Sequence, residues 1–131
     1  MKLTATVLDD DPLIVSLLSK VLGCRGYEVN TYPDAYQSCP LYKSESCPPS
    51  VCEPCTDVIL CDVNMPVVGG LDFLERQKRR GCKCRHIGMM SGAWTETDLL
   101  RASDLGVKCF PKPFDLDQIN AWLDDAEAHL L

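Results

Sequence analysis

No apolar run in the 131-residue chain approaches the length needed to cross a bilayer, because charged residues break each one. The opening MKLTATVLDDD lacks the uninterrupted apolar stretch of a secretory signal, since acid arrives at Asp9. Positive charge is not in excess either: 13 Lys and Arg stand against 19 Asp and Glu, a net charge of −6. Phosphate backbones need a basic footprint, so direct DNA binding is not expected. Internal repeats and low-complexity tracts are missing. These absences imply a cytoplasmic globular domain without membrane contact, and a chain this long buries a core without covalent staples. One residue type is over-supplied. Nine cysteines are unexpected in a compartment that disfavours structural disulfides.

Hydrophobic period divides the chain into alternating strands and helices. LTATVL (Leu3 to Leu8) reads as a strand, and Pro12 suits the first turn of a helix. Leu13, Ile14, Leu17, Leu18, Val21 and Leu22 fall at helical spacing, with Gly23 and Gly26 marking the stop. YEVNTY alternates as a second strand. DVILCD is an apolar run ending in acid, the pattern of a strand buried on both faces. After Gly69 and Gly70, LDFLERQKRR is helical, its late basic residues matching the helix dipole. HIGMMS, TETDLLRASDLG, VKCF and DLDQINAWLDDAEAHLL continue as strand, helix, strand, helix. In the last, Asp115 caps with Gln118 three residues on, and Leu116, Ile119, Leu123, Ala126 and Leu130 form one stripe.

This alternation predicts an α/β fold with a five-stranded parallel sheet covered on both faces. The exception is about 33–55, which holds four prolines besides Pro33 and four cysteines, Cys39, Cys47, Cys52 and Cys55. An irregular insertion there is expected to replace or shorten the second helix of a single domain spanning 1–131.

In such a fold, functional groups gather outside the carboxyl ends of the strands. Asp9, Asp10 and Asp11 follow the first strand, Asp62 ends the third, Ser91 the fourth, and Lys112 follows the fifth. Three adjacent carboxylates repel one another, so a cation is expected among them. Hard oxygen ligands suit Mg²⁺. A carboxylate beside a cation can attack phosphorus and form an aspartyl phosphate, with the hydroxyl and the lysine holding the phosphoryl oxygens. Asp11 is more simply a helix cap.

These residues resemble the receiver domains of two-component response regulators, including stand-alone chemotaxis and sporulation regulators. VLDDDP is similar to the family's acidic pair and implies metal-binding roles for Asp9 and Asp10. DVNMPVVGG is similar to its phosphorylation loop, which implies Asp62 as phosphoacceptor and metal ligand and Asn64 as a backbone-carbonyl ligand. MMSG supplies Ser91, and FPKPF supplies Lys112 before Pro113, a peptide bond usually cis in the family. The resemblance implies a flavodoxin-like, doubly wound (βα)5 fold with strand order 2-1-3-4-5. It also implies Mg²⁺ as cofactor and a sensor histidine kinase or phosphotransfer protein as donor. The chain would be a phosphoacceptor switch, not an enzyme in the ordinary sense. With no effector domain after Leu131, output is expected through an unknown downstream protein or onward phosphotransfer.

The pattern departs from the family at Cys109, where a Tyr or Phe usually stands three places before the lysine, with Phe110 on the opposite strand face. Trp94, in the loop after Ser91, is a candidate to transmit the switch instead. Ala93, where many relatives carry a larger group, leaves room for water and implies a short-lived acyl phosphate. Among the cysteines, Cys24, Cys61 and Cys109 read as small core residues. Cys52 and Cys55 (CEPC) with Cys82 and Cys84 (CKC) are expected at the amino-terminal edge, where four thiolates would suit Zn²⁺ and His86 is a possible substitute. An iron–sulfur cluster, redox disulfides and free thiols are the other readings of the same residues. A metal- or redox-sensing module on a receiver scaffold is thus an alternative function. A haloacid-dehalogenase-like phosphatase would want a second Asp where Asn64 stands, and a flavodoxin a Ser/Thr/Gly-rich phosphate loop where DDDP stands.

Overall fold

The computed structural model describes residues 3–34, 56–65 and 68–130. Most of the expected insertion, including Cys39, Cys47, Cys52 and Cys55, lies outside the described residues. The element order is β1 (Thr4–Leu8), α1 (Pro12–Cys24), β2 (Glu28–Tyr32), β3 (Val58–Asp62), α2 (Gly70–Arg79), β4 (His86–Ser91), α3 (Glu96–Leu105), β5 (Lys108–Pro111) and α4 (Leu116–Leu130). All neighbouring strands are parallel, and the sheet order is β2-β1-β3-β4-β5, as expected.

β3 sits at the centre of the sheet, and all five of its residues are buried. Side chains alternate across a strand, so one such run serves two cores. Ile59 and Cys61 join Leu71, Leu74, Ile87, Met89 and Ala102 under α2 and α3. Val58 and Leu60 join Ala5, Val7, Leu18, Leu22, Phe110, Ile119 and Leu123 under α1 and α4. The strand's continuous hydrophobicity therefore follows from having helices on both sides.

Helix ends follow local chemistry. The Asp11 side chain accepts from the Leu13 N–H at 3.0 Å, capping α1, with Pro12 at the first helical position. Thr95 caps α3 through the Asp98 N–H at 3.1 Å. Gly26, with φ +93°, turns the chain into β2. Gly23 lies inside α1 and does not end it.

Several sequence expectations need correction. Leu13 and Leu17 are exposed, at 79% and 39%, although they fall in the apolar pattern of α1. Each precedes by one residue an inward position (Ile14, Leu18), and one residue rotates a helix by about 100°, so the pair faces outward. Leu116 is likewise exposed at the start of α4, while Ile119, Leu123 and Ala126 are buried. The Asp115 side chain accepts from the Asp117 N–H at 2.9 Å, whereas Gln118 reaches only the Asp115 backbone carbonyl, at 3.1 Å. Cys24 is exposed, two residues past the buried Leu22 and therefore on the far side of α1. Cys84 is buried among the core residues under α2, its thiol directed to the His86 carbonyl at 3.8 Å.

Candidate functional site

β1 and β3 pair directly, so the chain leaves both strands at the same carboxyl edge. Asp9 is the first residue beyond β1, and its N–H donates to the Tyr32 carbonyl at 3.2 Å. Its side chain turns inward and is almost wholly buried. One oxygen accepts from the Asp11 N–H at 2.9 Å, so the acidic run holds Asp9 through its own backbone. Asp10 is exposed, and Asp62 is buried at the end of β3. Carboxylate oxygens of Asp9, Asp10 and Asp62 lie within 4.8 Å of one another.

The positive partner comes from the far side of the sheet. Lys112 Nζ lies 2.9 Å from Asp9 Oδ2 and 3.3 Å from Asp62 Oδ1. Burial pushes the Asp62 carboxyl above its ordinary value; the Asn64 N–H bond and Lys112 oppose this, and Asp9 adds to it. For Lys112, burial alone would lower the value, but the Asp9 hydrogen bond and the charges of Asp9 and Asp62 outweigh it and hold it above normal. The Asn64 N–H donates to Asp62 Oδ1 at 3.2 Å, making an amide part of the cradle.

The backbone at Lys112 is tied to β4, its N–H donating to the Ser91 carbonyl at 2.9 Å. The Lys112–Pro113 peptide is cis. Ser91 is buried, and its hydroxyl oxygen accepts from the Ala93 N–H at 3.1 Å. Beyond it, the Trp94 indole N–H donates to the Phe110 carbonyl at 2.9 Å. Cys109 is half-buried against the same core cluster as Trp94, while Phe110 turns to the opposite face, edge-on to Trp122 at 5.5 Å.

Two features of the site carry weaker sequence signals. Gly70 N–H donates to the Val63 carbonyl at 2.9 Å, and a Cβ on Gly70 would stand 2.1 Å from the Asp62 carbonyl oxygen. The Gly69–Gly70 pair announces a close approach without saying to what. A recess of about 290 Å³ beside Asp9 and Asp10 is walled by Pro12, Val15 and Ser16 of α1 and by Thr31 and Tyr32 of β2 with Pro33 after it.

The cysteine expectation fares differently. Among the described residues, Asp9, Asp10 and Asp62 form the one group of three or more His, Cys, Asp or Glu within metal-holding distance. Cys82 and Cys84 line an edge recess with Asp57, Lys78, Lys83, Arg85, His86 and Leu130. Zn²⁺ binding there receives no support, and Cys52 and Cys55 lie outside the described residues.

A doubly wound sheet in this order, with an acidic cluster, a hydroxyl and a lysine at its carboxyl edge, defines a receiver-type switch domain. The chain belongs to the response regulator receiver domain family, whose model matches residues 5–124. It is 30% identical over 115 residues to sporulation initiation phosphotransferase F of Bacillus subtilis, covering 86% of this chain and 84% of that protein. It is also 30% identical over 118 residues to the sensor histidine kinase RcsC of Escherichia coli, covering 89% of this chain but 11% of the kinase. In three dimensions it resembles the signal receiver domain of an HD domain-containing protein from Pseudomonas fluorescens Pf-5, with TM-score 0.80, 18% identity and coverage of 98% and 97%. Receiver domains are phosphoacceptor switches of two-component systems. No helix among the described residues is long and apolar enough to cross a membrane.

Proposed function

We propose that Asp62 accepts a phosphoryl group from a histidine kinase or a histidine-containing phosphotransfer protein, and that the change at the pocket alters binding of a downstream protein. The observation that carries this reading is the Lys112 ammonium shared between Asp9 and Asp62, with Asp10 completing the acidic cluster. An Asp62 oxygen attacks phosphorus, the P–N bond of the phosphohistidine breaks, and the electron pair leaves with the imidazole. The product is a mixed anhydride on Asp62. Lys112 then balances charge on the phosphoryl oxygens, and the Ser91 hydroxyl is the neutral donor at the same edge. The names of the relatives, a sensor histidine kinase and a phosphotransferase, support a phosphohistidine donor.

The donor set fits Mg²⁺: all-oxygen ligands, clustered and mostly buried, with more negative charge than one lysine cancels. Asp9, Asp10, Asp62 and the Asn64 carbonyl would hold it. When bound, the ion supplies Lewis-acid neutralisation of the phosphoryl oxygens. In this reading residues 1–131 form one receiver unit of cytoplasmic type, with an insertion near 33–55.

The test is intact mass after incubation with acetyl phosphate and Mg²⁺. Wild type is expected to gain one phosphoryl group and Asp62→Asn none. Equal gain in both would move the acceptor elsewhere, and gain in neither would refute the reading.

A further inference from the structure

The loop after β4 is fastened to β5 at two points. One is a backbone bond, Lys112 N–H to the Ser91 carbonyl, at 2.9 Å. The other is a side-chain bond, Trp94 Nε1–H to the Phe110 carbonyl, also at 2.9 Å. This second tie runs from three residues past Ser91 to two residues before Lys112. It therefore spans the two arms of the pocket, one carrying the hydroxyl and the other the ammonium.

The two ends of this tie differ in rigidity. Phe110 is buried, packs on Gly88, and meets Trp122 edge-on, so its carbonyl is a fixed acceptor. Trp94 comes from a loop whose two preceding residues, Gly92 and Ala93, are small and exposed and offer little resistance to movement. Its ring rests half-buried against the core cluster under α2 and α3, against which Cys109, Leu105 and Val107 also pack. The Ser91 oxygen meanwhile accepts the Ala93 N–H, so the hydroxyl holds its own loop in place. Turning that oxygen toward a phosphoryl group on Asp62 takes away the Ala93 acceptor, and the displaced segment pulls on Trp94 one residue later.

We infer that Trp94 is a positioning residue for the phosphoryl site: its indole N–H on the Phe110 carbonyl holds the Ser91 loop in the unphosphorylated arrangement and lets go when Ser91 engages the phosphoryl group. This rests on the Asp62 reading above. A single neutral hydrogen bond biases an equilibrium by roughly fivefold, enough to set the resting state and weak enough to break on each cycle.

Each tryptophan gives its own indole N–H resonance in a ¹H–¹⁵N spectrum of the 131-residue chain, and Trp94→Phe assigns that of Trp94. On adding Mg²⁺ and beryllofluoride, the Trp94 resonance is expected to shift and its solvent exchange to accelerate at least about fivefold, the Trp122 signal changing less. Trp94→Phe keeps a ring and removes the donor. It is expected to bind beryllofluoride roughly fivefold more tightly and to gain phosphate faster from acetyl phosphate. A merely structural tryptophan would instead leave that affinity unchanged or weaken it. The inference is overturned if the Asn64 amide responds to beryllofluoride while the Trp94 indole does not, or if Trp94→Phe fails to tighten binding. A silent Asn64 amide in wild type, with no phosphoryl gain, overturns the Asp62 reading and this inference with it.

Discussion

Lys112 reaches across the carboxyl edge of the sheet to stand 2.9 Å from an oxygen of Asp9 and 3.3 Å from one of Asp62. One ammonium thus serves two buried carboxylates that come from two other strands, and it is the link between β5 and the acidic cluster.

Removing that ammonium leaves the carboxylates facing each other. Lys112→Ala is expected to lower unfolding stability by about 2–3 kcal/mol in chelator, with the deficit narrowing in Mg²⁺. Asp62→Asn is expected to act oppositely, stabilising the metal-free protein, because burial and Asp9 already disfavour the Asp62 charge. Urea unfolding with EDTA and with Mg²⁺ checks both signs.

Two glycines should respond to alanine in opposite directions. At Gly70 an added Cβ would meet the Asp62 carbonyl oxygen at 2.1 Å and Met89 Cε at 2.8 Å, so Gly70→Ala is expected to cost about 2–3 kcal/mol. At Gly23 the same Cβ meets nothing within 4 Å, and the residue is helical. Gly23→Ala is therefore expected to stabilise by about 0.5 kcal/mol. Thermal or urea melts of the two variants measure the contrast.

Burial, reinforced by the nearby Glu127, pushes the Tyr27 phenol up to about 12. Below pH 10 the group is protonated in both folded and unfolded chains and its contribution to stability is fully present. Between about 10 and 12 the unfolded chain loses the proton while the folded one keeps it, so stability falls as pH rises. Ultraviolet titration should show a tyrosine ionising near 12 that is missing in Tyr27→Phe, and that variant should lose part of the alkaline fall in stability.

Arg25 joins the end of α1 to α4 through Glu127 at 2.6 Å and Asp124 at 2.5 Å, with Asn120 accepting at 3.2 Å. Asp124 is largely exposed, so much of this network is screened by water. Arg25→Ala is expected to cost about 1 kcal/mol, less at high salt. Urea melts at low and high ionic strength resolve it.

The sequence made the sheet legible because its signals are local: apolar runs of strand length, each ending in a chemically distinctive residue. Asp9, Asp62, Ser91 and Lys112 could be brought to one edge from topology alone, since every parallel strand delivers its carboxyl end there. Contacts between segments distant in sequence were not legible. Nothing around Trp94 names Phe110 as its partner, because the bond depends on how a loop lies over an edge strand. Leu13, Leu17 and Cys24 were misplaced because apolar residues covered more of α1 than the core could use. Cys82 and Cys84 share one edge recess, as their CKC spacing implies, but that Cys84 also packs into the core depends on contacts no spacing reveals. Composition could mark a cysteine-rich stretch but not assign its chemistry.

The face beneath α1 is completed by Ile119 and Leu123 of α4, joined to Leu18 and Leu22 in one cluster. A chain emerging from the ribosome therefore leaves that cluster incomplete until α4 is made. Leu18 and Leu22 of α1 pack on the sheet, and α4 adds Ile119 and Leu123 to close the cluster. A premature stop before residue 116 would leave Leu18 and Leu22 as sticky surface, inviting aggregation or degradation instead of a smaller working domain.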